Sequence, residues 1–251
     1  MQIHTLQGYI QNIYLVEYEH GLMLLDGCSR ADVSKVCRFI ADTLKRPLHD
    51  LKTIIVTHMH PDHAGGSHRL RSITGCKIYS HPKAPRWYRG IAGRAAHITD
   101  IVLALWVAGR IGRKKRQIWY TPILKPDGFL TDEQYIKDFE DWQVLHTPGH
   151  TDHDLSLYHA KTNKVYIADL IVQVKGQFVP PYPVCHPNQY QRSLSRVAGL
   201  ENATLFFAHA KPQVLDNAEF HRLKSIAPRR PKNHWYSTKS RIHRALKLPF
   251  A

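Results

Sequence analysis

An α/β fold is predicted for this 251-residue chain on three observations. Short apolar runs of strand length alternate with stretches of helical spacing. Several of those runs stop on a histidine or an aspartate. The length suits one well-buried core better than two, so residues 1–251 are read as a single domain. In order, strands are predicted at 10–18 and 22–26, a helix at 31–45, a strand at 53–57, a helix at 65–73 and a strand at 76–80. Later strands fall near 142–146, 155–159, 164–168 and 204–207, with a helix across 188–199. No tandem repeat of short fixed period is seen.

Chemistry concentrates where the run Ile54-Ile55-Val56 ends. There the chain reads Thr57-His58-Met59-His60-Pro61-Asp62-His63-Ala64-Gly65-Gly66. Side chains reverse at each strand residue, so His58 and His60 project to one side, and a turn at Pro61 brings Asp62 and His63 round to face them. Transition metals, zinc above all, bind neutral imidazole nitrogen and carboxylate oxygen in a compact shell, and one segment offers four such groups. Histidine is abundant here, 18 of 251 residues, and a lone one is usually a surface or satisfied core group. The spacing, not the count, singles these out. Three further strand ends repeat the device: Val144-Leu145-His146-Thr147-Pro148-Gly149-His150, Val165-Tyr166-Ile167-Ala168-Asp169 and Leu205-Phe206-Phe207-Ala208-His209.

In this order and at these intervals the segments, from about Asn12 to about Pro212, resemble the metallo-β-lactamase superfamily, its glyoxalase II and lactonase branch in particular. The resemblance implies a four-layer αββα sandwich with metals in a cleft at one edge. It implies that His58, His60 and His150 hold one ion, that Asp62, His63 and His209 hold a second, and that Asp169 bridges them. Asp26 matches an early family aspartate with a structural role and is not expected to be a ligand. Family members usually carry glycine where this chain has Ala168, Ala208 and Ala210. Alanine resists positive φ, so a local backbone difference is expected there. His153 has no family role and is read as a surface group or a contact near the site.

Two divalent ions, zinc being the first choice with iron or manganese accepted by the same donors, would share a hydroxide as nucleophile, with Asp62 orienting it and handling its proton. No Gly-x-Ser-x-Gly elbow argues for a protein nucleophile. The expected activity is hydrolysis of an ester, thioester or lactone. A phosphodiesterase or ribonuclease using the same metals is one alternative, and a non-catalytic binding or regulatory module is another.

Charge is placed unevenly. Residues 83–116 hold nine Lys/Arg against Asp100 alone, and residues 221–251 hold nine with no acid, so the rest of this +15 chain is close to neutral. The first stretch belongs to an insert of about 83–140, expected to be helical, in which Ile98, Ile101, Val102, Leu105, Trp106 and Gly109 recur at helical spacing and Leu103, Ala104, Val107 and Ala108 fill the other side. A helical hairpin packed on the sandwich edge is the plain reading. A lid lining an acyl pocket, or a helix on a membrane surface with Arg113-Lys114-Lys115-Arg116 on anionic lipid, are the others.

The second stretch lies in a basic extension of about 213–251, read as a solvated strap or as a nucleic-acid contact through Trp235, Tyr236 and their basic neighbours. Within it, Lys239 to Leu248 could form a short amphipathic helix. The longest unbroken apolar run, Ile101 to Ala108, is far short of the ~20 residues that span a bilayer. No secretory signal is recognised, and Cys28, Cys37, Cys76 and Cys185 show no CxxC spacing, so a reducing, cytoplasmic setting is expected. Cys185, in a Pro-rich loop, is read as an inert thiol.

Overall fold

Alternation along the strands sorts the apolar side chains into three layers. In the computed structural model, which describes residues 1–232, the chain runs β1 (Gln2–Gln7), β2 (Asn12–Tyr18), β3 (Gly21–Leu24), α1 (Val33–Arg38), β4 (Leu51–Val56), α2 (Pro61–Ala64), α3 (Ser67–Thr74), β5 (Lys77–Ser80) and α4 (Gly90–Arg110). It continues through β6 (Gly128–Phe129), β7 (Tyr135–Ile136), β8 (Phe139–His146), β9 (Leu155–His159), β10 (Lys164–Tyr166), β11 (Val172–Val174), β12 (Gln177–Val179), α5 (Pro187–Ala198), β13 (Thr204–Phe206) and α6 (Asn217–Ile226). One sheet is ordered β1-β2-β3-β4-β5-β6 and the other β13-β10-β9-β8-β7, with β11 and β12 as a separate ribbon.

Tyr14, Val16, Met23 and Ile55 of the first sheet meet Trp142, Val144, Leu157 and Tyr166 of the second in the central layer. Their strand neighbours point the other way. Leu15, Leu24, Ile54 and Val56 pack with Val36, Leu70 and Ile101 on one outer side, and Val165 and Leu205 pack with Leu194, Val197 and Leu223 on the other. This is the αββα sandwich. Each fully buried aliphatic or aromatic side chain contributes roughly 1.5–3 kcal/mol relative to exposure, so a one-residue slip in any central strand would turn that burial outward.

Three expectations are corrected. The insert is not helical throughout: after a 3-10 turn at Ala84–Arg86 only α4 is an α-helix, and the remainder is irregular chain that adds β6 to the first sheet and β7 to the second. Gly112, at φ 74°, and Pro122 and Pro126 break the helical continuation. The predicted helix over 31–45 is a composite of a 3-10 turn, α1 and a π turn at Phe39–Thr43. β1 was not predicted, because Gln2–Gln7 alternates too weakly in hydropathy; its pairing with β2 supplies what its sequence lacks.

The stretch from 213 is also more than an appended extension. Gln213 bridges Leu205 and Lys232 bridges Val184, while Phe220 and Leu223 of α6 are buried against the helical layer. Arg222 donates to the Phe178 carbonyl and pairs with Glu219. The fold therefore uses the chain to 232, and Trp235, Tyr236 and the short helix expected at 239–248 lie outside the described residues. Against the expectation from the longest apolar run, α4 as a whole is long and apolar enough, by length and composition, to cross a bilayer. An unbroken-run count missed it because Arg94, His97 and Asp100 interrupt the sequence but not the helix.

Candidate metal centre

β4 delivers Thr57 and His58 at its end, and Pro61 occupies the first helical position of α2, where its missing N–H costs nothing. The His63 and Ala64 amides both donate to the His60 carbonyl, at 3.0 and 2.9 Å. This tight turn swings the His63 ring to 4.0 Å, centroid to centroid, from His58. His150 is placed by a second turn. Gly149 sits at φ 153°, where a Cβ would lie 2.5 Å from the Tyr190 backbone, and Asp154 accepts from the Gly149 and Thr151 amides at 3.1 and 2.7 Å. Asp169 follows Ala168, which takes φ 45°. That backbone keeps the left-handed conformation glycine would favour, against the expectation of a difference, and the methyl costs on the order of 1 kcal/mol. Ala208 and Ala210 keep negative φ.

The structure brings all seven predicted side chains together. His58, His60, His150 and Asp169 form one group and Asp62, His63 and His209 an adjoining one. In the first, His60 Nδ1 lies 3.1 Å from His58 Nε2 and 2.9 Å from His150 Nε2. In the second, Asp62 Oδ2 lies 3.4 and 3.3 Å from the Nε2 atoms of His63 and His209. Asp169 spans both: its Oδ1 is 3.3 and 3.2 Å from His63 and His209, and its Oδ2 is 4.0 and 3.7 Å from His58 and His150.

Most of these rings are held by the nitrogen that faces away from the centre. His63 Nδ1 contacts Asp26 Oδ2 at 2.6 Å, His150 Nδ1 the Pro183 carbonyl at 2.6 Å, His209 Nδ1 the Ile10 carbonyl at 3.0 Å, and His58 Nδ1 the Thr57 hydroxyl at 3.2 Å. A carbonyl or carboxylate at the outer nitrogen fixes the tautomer that leaves the inner lone pair free. Asp26 is a structural partner, as expected: its carboxylate also accepts from the Gly27 amide, the Thr57 hydroxyl and Tyr166, at 3.0, 2.7 and 2.9 Å.

The two groups differ electrically. Burial, reinforced by neighbouring imidazoles, pushes His58 well below the ordinary histidine range, and burial brings His60 down to about 4. Burial would do the same to His209 and His63, but Asp169 and Asp62 outweigh it, raising His209 to about 10 and His63 well above its usual value. Asp62 and Asp169 stay ionised, because burial is overcome by those same histidines. One group thus presents neutral lone pairs, and the other is an anionic socket that draws positive charge. Within it, the buried His63 Nε2 and Asp169 Oδ1 lack a well-aligned hydrogen bond among the described residues. Orphaned buried polar atoms are costly, and a cation between them, taking the place of a proton on His63, would satisfy both.

Several contacts escaped the sequence. His153 is fully buried rather than on the surface, and its Nε2 accepts from the Met59 amide at 3.2 Å, steadying the residue between His58 and His60. From α4, Asp100 approaches His60 Nε2 at 3.7 Å and takes a 2.7 Å hydrogen bond from Tyr88. The signal was present: Asp100 is the single acid in a stretch of nine cations, and a lone acid there invites a specific partner. Gln11 donates to the Asp62 carbonyl. Burial and nearby acids push the Cys185 thiol up to about 12, which agrees with an inert group. The centre opens into a cleft of about 800 Å³, walled by Leu103, Trp106, Val107 and Arg110 of α4 and by Val174 and Tyr182 opposite.

An αββα sandwich with a histidine–carboxylate cluster at its strand ends defines a metal-dependent hydrolase. The chain belongs to the metallo-beta-lactamase superfamily, whose family profile matches residues 6–209. It is 23% identical over 221 residues to a probable metallo-hydrolase of Bacillus subtilis, YqjP, covering 80% of this chain and 67% of that one. Over 86 residues it is 33% identical to a hydroxyacylglutathione hydrolase of Albidiferax ferrireducens, covering 34% of this chain and 31% of that enzyme. A metallo-beta-lactamase family protein of Thermus thermophilus shares the fold with a TM-score of 0.69 at 20% identity, over 97% of this chain and 82% of that one. So does TTHA1623, solved in a di-iron-bound form, with a TM-score of 0.59 at 22% identity over 89% and 98%.

Proposed function

We propose that this hydrolase opens an ester, thioester or lactone with two divalent ions, zinc being the first choice. The observation that carries the two-metal part of the reading is the placement of Asp169 between the two groups, one oxygen toward each. His58, His60 and His150 would hold one ion, Asp62, His63 and His209 the other, and Asp169 both. When bound, such a pair lowers the pKa of water toward neutrality and polarises the scissile oxygen. Asp62, held ionised beside His63 and His209, can accept a hydrogen bond from the attacking water and orient it. The apolar α4 wall suits an acyl arm, and Arg110 and Arg113 at the cleft suit an anionic group. The stretch similar to a hydroxyacylglutathione hydrolase supports the thioester reading.

The test is a panel of S-acylglutathiones, p-nitrophenyl esters, lactones and a phosphodiester, run on protein reconstituted separately with zinc, iron and manganese. An acyl substrate should exceed the phosphodiester at least about tenfold in kcat/KM, a gap of one transition-state contact. A phosphodiester preference would replace this reading with the nuclease one, and metal uptake without turnover would favour a binding module.

Protonation separates the two groups in a second measurement. The carboxylates that raise His209 to about 10 favour its protonated ring in metal-free protein, so filling the group should release that proton, and uptake should tighten by up to about tenfold per pH unit between pH 7 and about 9, with the upward shift of His63 acting in the same direction. His58 and His60 are already neutral, so their group should show no such slope. Cobalt(II) titrations followed by absorbance at several pH values should resolve a flat and a rising affinity; two flat ones would contradict the charge assignment.

A further inference from the structure

Five residues on the inner side of α4, His97, Asp100, Ile101, Ala104 and Ala108, are buried. The outward side is as apolar as the inner. Ile91, Ile98, Val102 and Trp106 are 92, 51, 60 and 57% exposed, and with Ala95 among them and Gly109 after them they fall on one stripe of the helix. Trp119, also exposed, stands beside His97, their rings 5.1 Å apart. A solvated helix face would carry charge along this line. Here the charge gathers toward the two ends, Arg86 and Arg89 before the stripe, Arg94 in its first turn, and Arg110, Arg113, Lys114, Lys115 and Arg116 after it. The sole acid of the segment, Asp100, faces inward.

We propose that α4 lies flat on an anionic phospholipid bilayer, its outward stripe in the boundary between headgroups and acyl chains and its basic ends on lipid phosphates. The charge pattern selects this occupant. A second copy of the chain seated on α4, parallel or antiparallel, would press basic end against basic end, whereas an anionic surface neutralises both. Crossing the bilayer is excluded by the inner face, because Asp100 is engaged by Tyr88 and His97 packs on Tyr120. The exposed tryptophans suit the interface, and the Arg110 guanidinium stacks on Trp106 at 5.1 Å, an apolar stem bearing an outward cation. Trp106 also lines the cleft, with Val174 and Tyr182 opposite, so this docking sets the cleft mouth at lipid level.

The experiment is co-sedimentation of the full chain with sucrose-loaded vesicles of phosphatidylcholine alone or mixed with phosphatidylglycerol. Vesicle binding reads this surface whatever the substrate proves to be. The protein should pellet with the anionic vesicles, less so as salt is added. The double substitution Ile98→Glu/Val102→Glu, at exposed positions outside the cleft, should weaken partition by about tenfold or more, and Lys114→Glu/Lys115→Glu should weaken it while removing most of the salt dependence. Both variants should melt like the parent, which separates lost docking from lost folding. Protein that stays in the supernatant with anionic vesicles, or an Ile98→Glu/Val102→Glu variant that binds as well as the parent, would overturn the proposal. So would a dimer in sedimentation velocity that this variant dissolves while neither protein binds lipid.

Discussion

Replacing Asp169 with alanine is expected to lower hydrolysis by about 10³-fold or more, the order lost when a preorganised electrostatic element is deleted from an active site. The bound metal should fall with it. Asp169 turns one carboxylate oxygen toward each group, with His63 and His209 at 3.3 and 3.2 Å from Oδ1 and His58 and His150 at 4.0 and 3.7 Å from Oδ2. Without it the second group keeps one carboxylate for two histidines, and the two groups lose their common member. The fold should survive, because Asp169 lies in a loop after β10 and carries none of the three core clusters. Elemental analysis beside kcat/KM and a circular dichroism melt makes the check. Activity within tenfold of the parent, with metal retained, would remove Asp169 from the centre. His58→Ala should behave similarly, with the deficit concentrated in the first group, where His58 Nε2 stands 3.1 Å from His60 Nδ1.

The seven members of the centre were legible in the sequence for a physical reason. Each stands just past an apolar strand or in the turn that follows, and strands of two facing sheets that end at the same edge bring their ends together whatever the intervening loops do. The central β4, β8, β9 and β10 were legible for a related reason, since burial on both faces or alternation writes itself into the residues. What failed depends on partners remote in sequence. β1 exists because β2 offers an open edge, and β6 and β7 are two-residue additions whose pairing no local pattern announces. His153 looked like a polar loop residue, yet the backbone folds it over Met59. Asp100 stood out as the lone acid of the insert, but its partners His60 and Tyr88 were not legible until the docking of α4 brought the three together. Ala168 shows the converse: alanine in place of the family's usual glycine suggested a changed backbone, and tertiary context imposed the left-handed conformation regardless.

Asp26→Ala should be the most damaging substitution outside the centre itself. Its carboxylate is 4% exposed and gathers the Gly27 amide, the Thr57 amide and hydroxyl, Tyr166 and His63 from four segments of chain. Removing one partner of a buried charged network costs about 3–5 kcal/mol, since the remaining donors have no water to turn to. In a domain of this size that corresponds to a fall in Tm on the order of 10 °C. The functional loss follows from the same contacts. Thr57 precedes His58 and His63 belongs to the second group, so a loosened Asp26 site frees both rings and metal affinity should drop by about 10–100-fold. Asp26→Asn separates the two effects. Asparagine keeps the volume and one acceptor but turns an NH₂ toward donors that expect a carboxylate, so it should recover part of the melting temperature while His63 remains wrongly oriented and the second metal weak. If both substitutions left Tm within 2 or 3 °C of the parent, within the range of about 1 kcal/mol, Asp26 would be a bystander and the orientation of His63 would have to come from the centre itself.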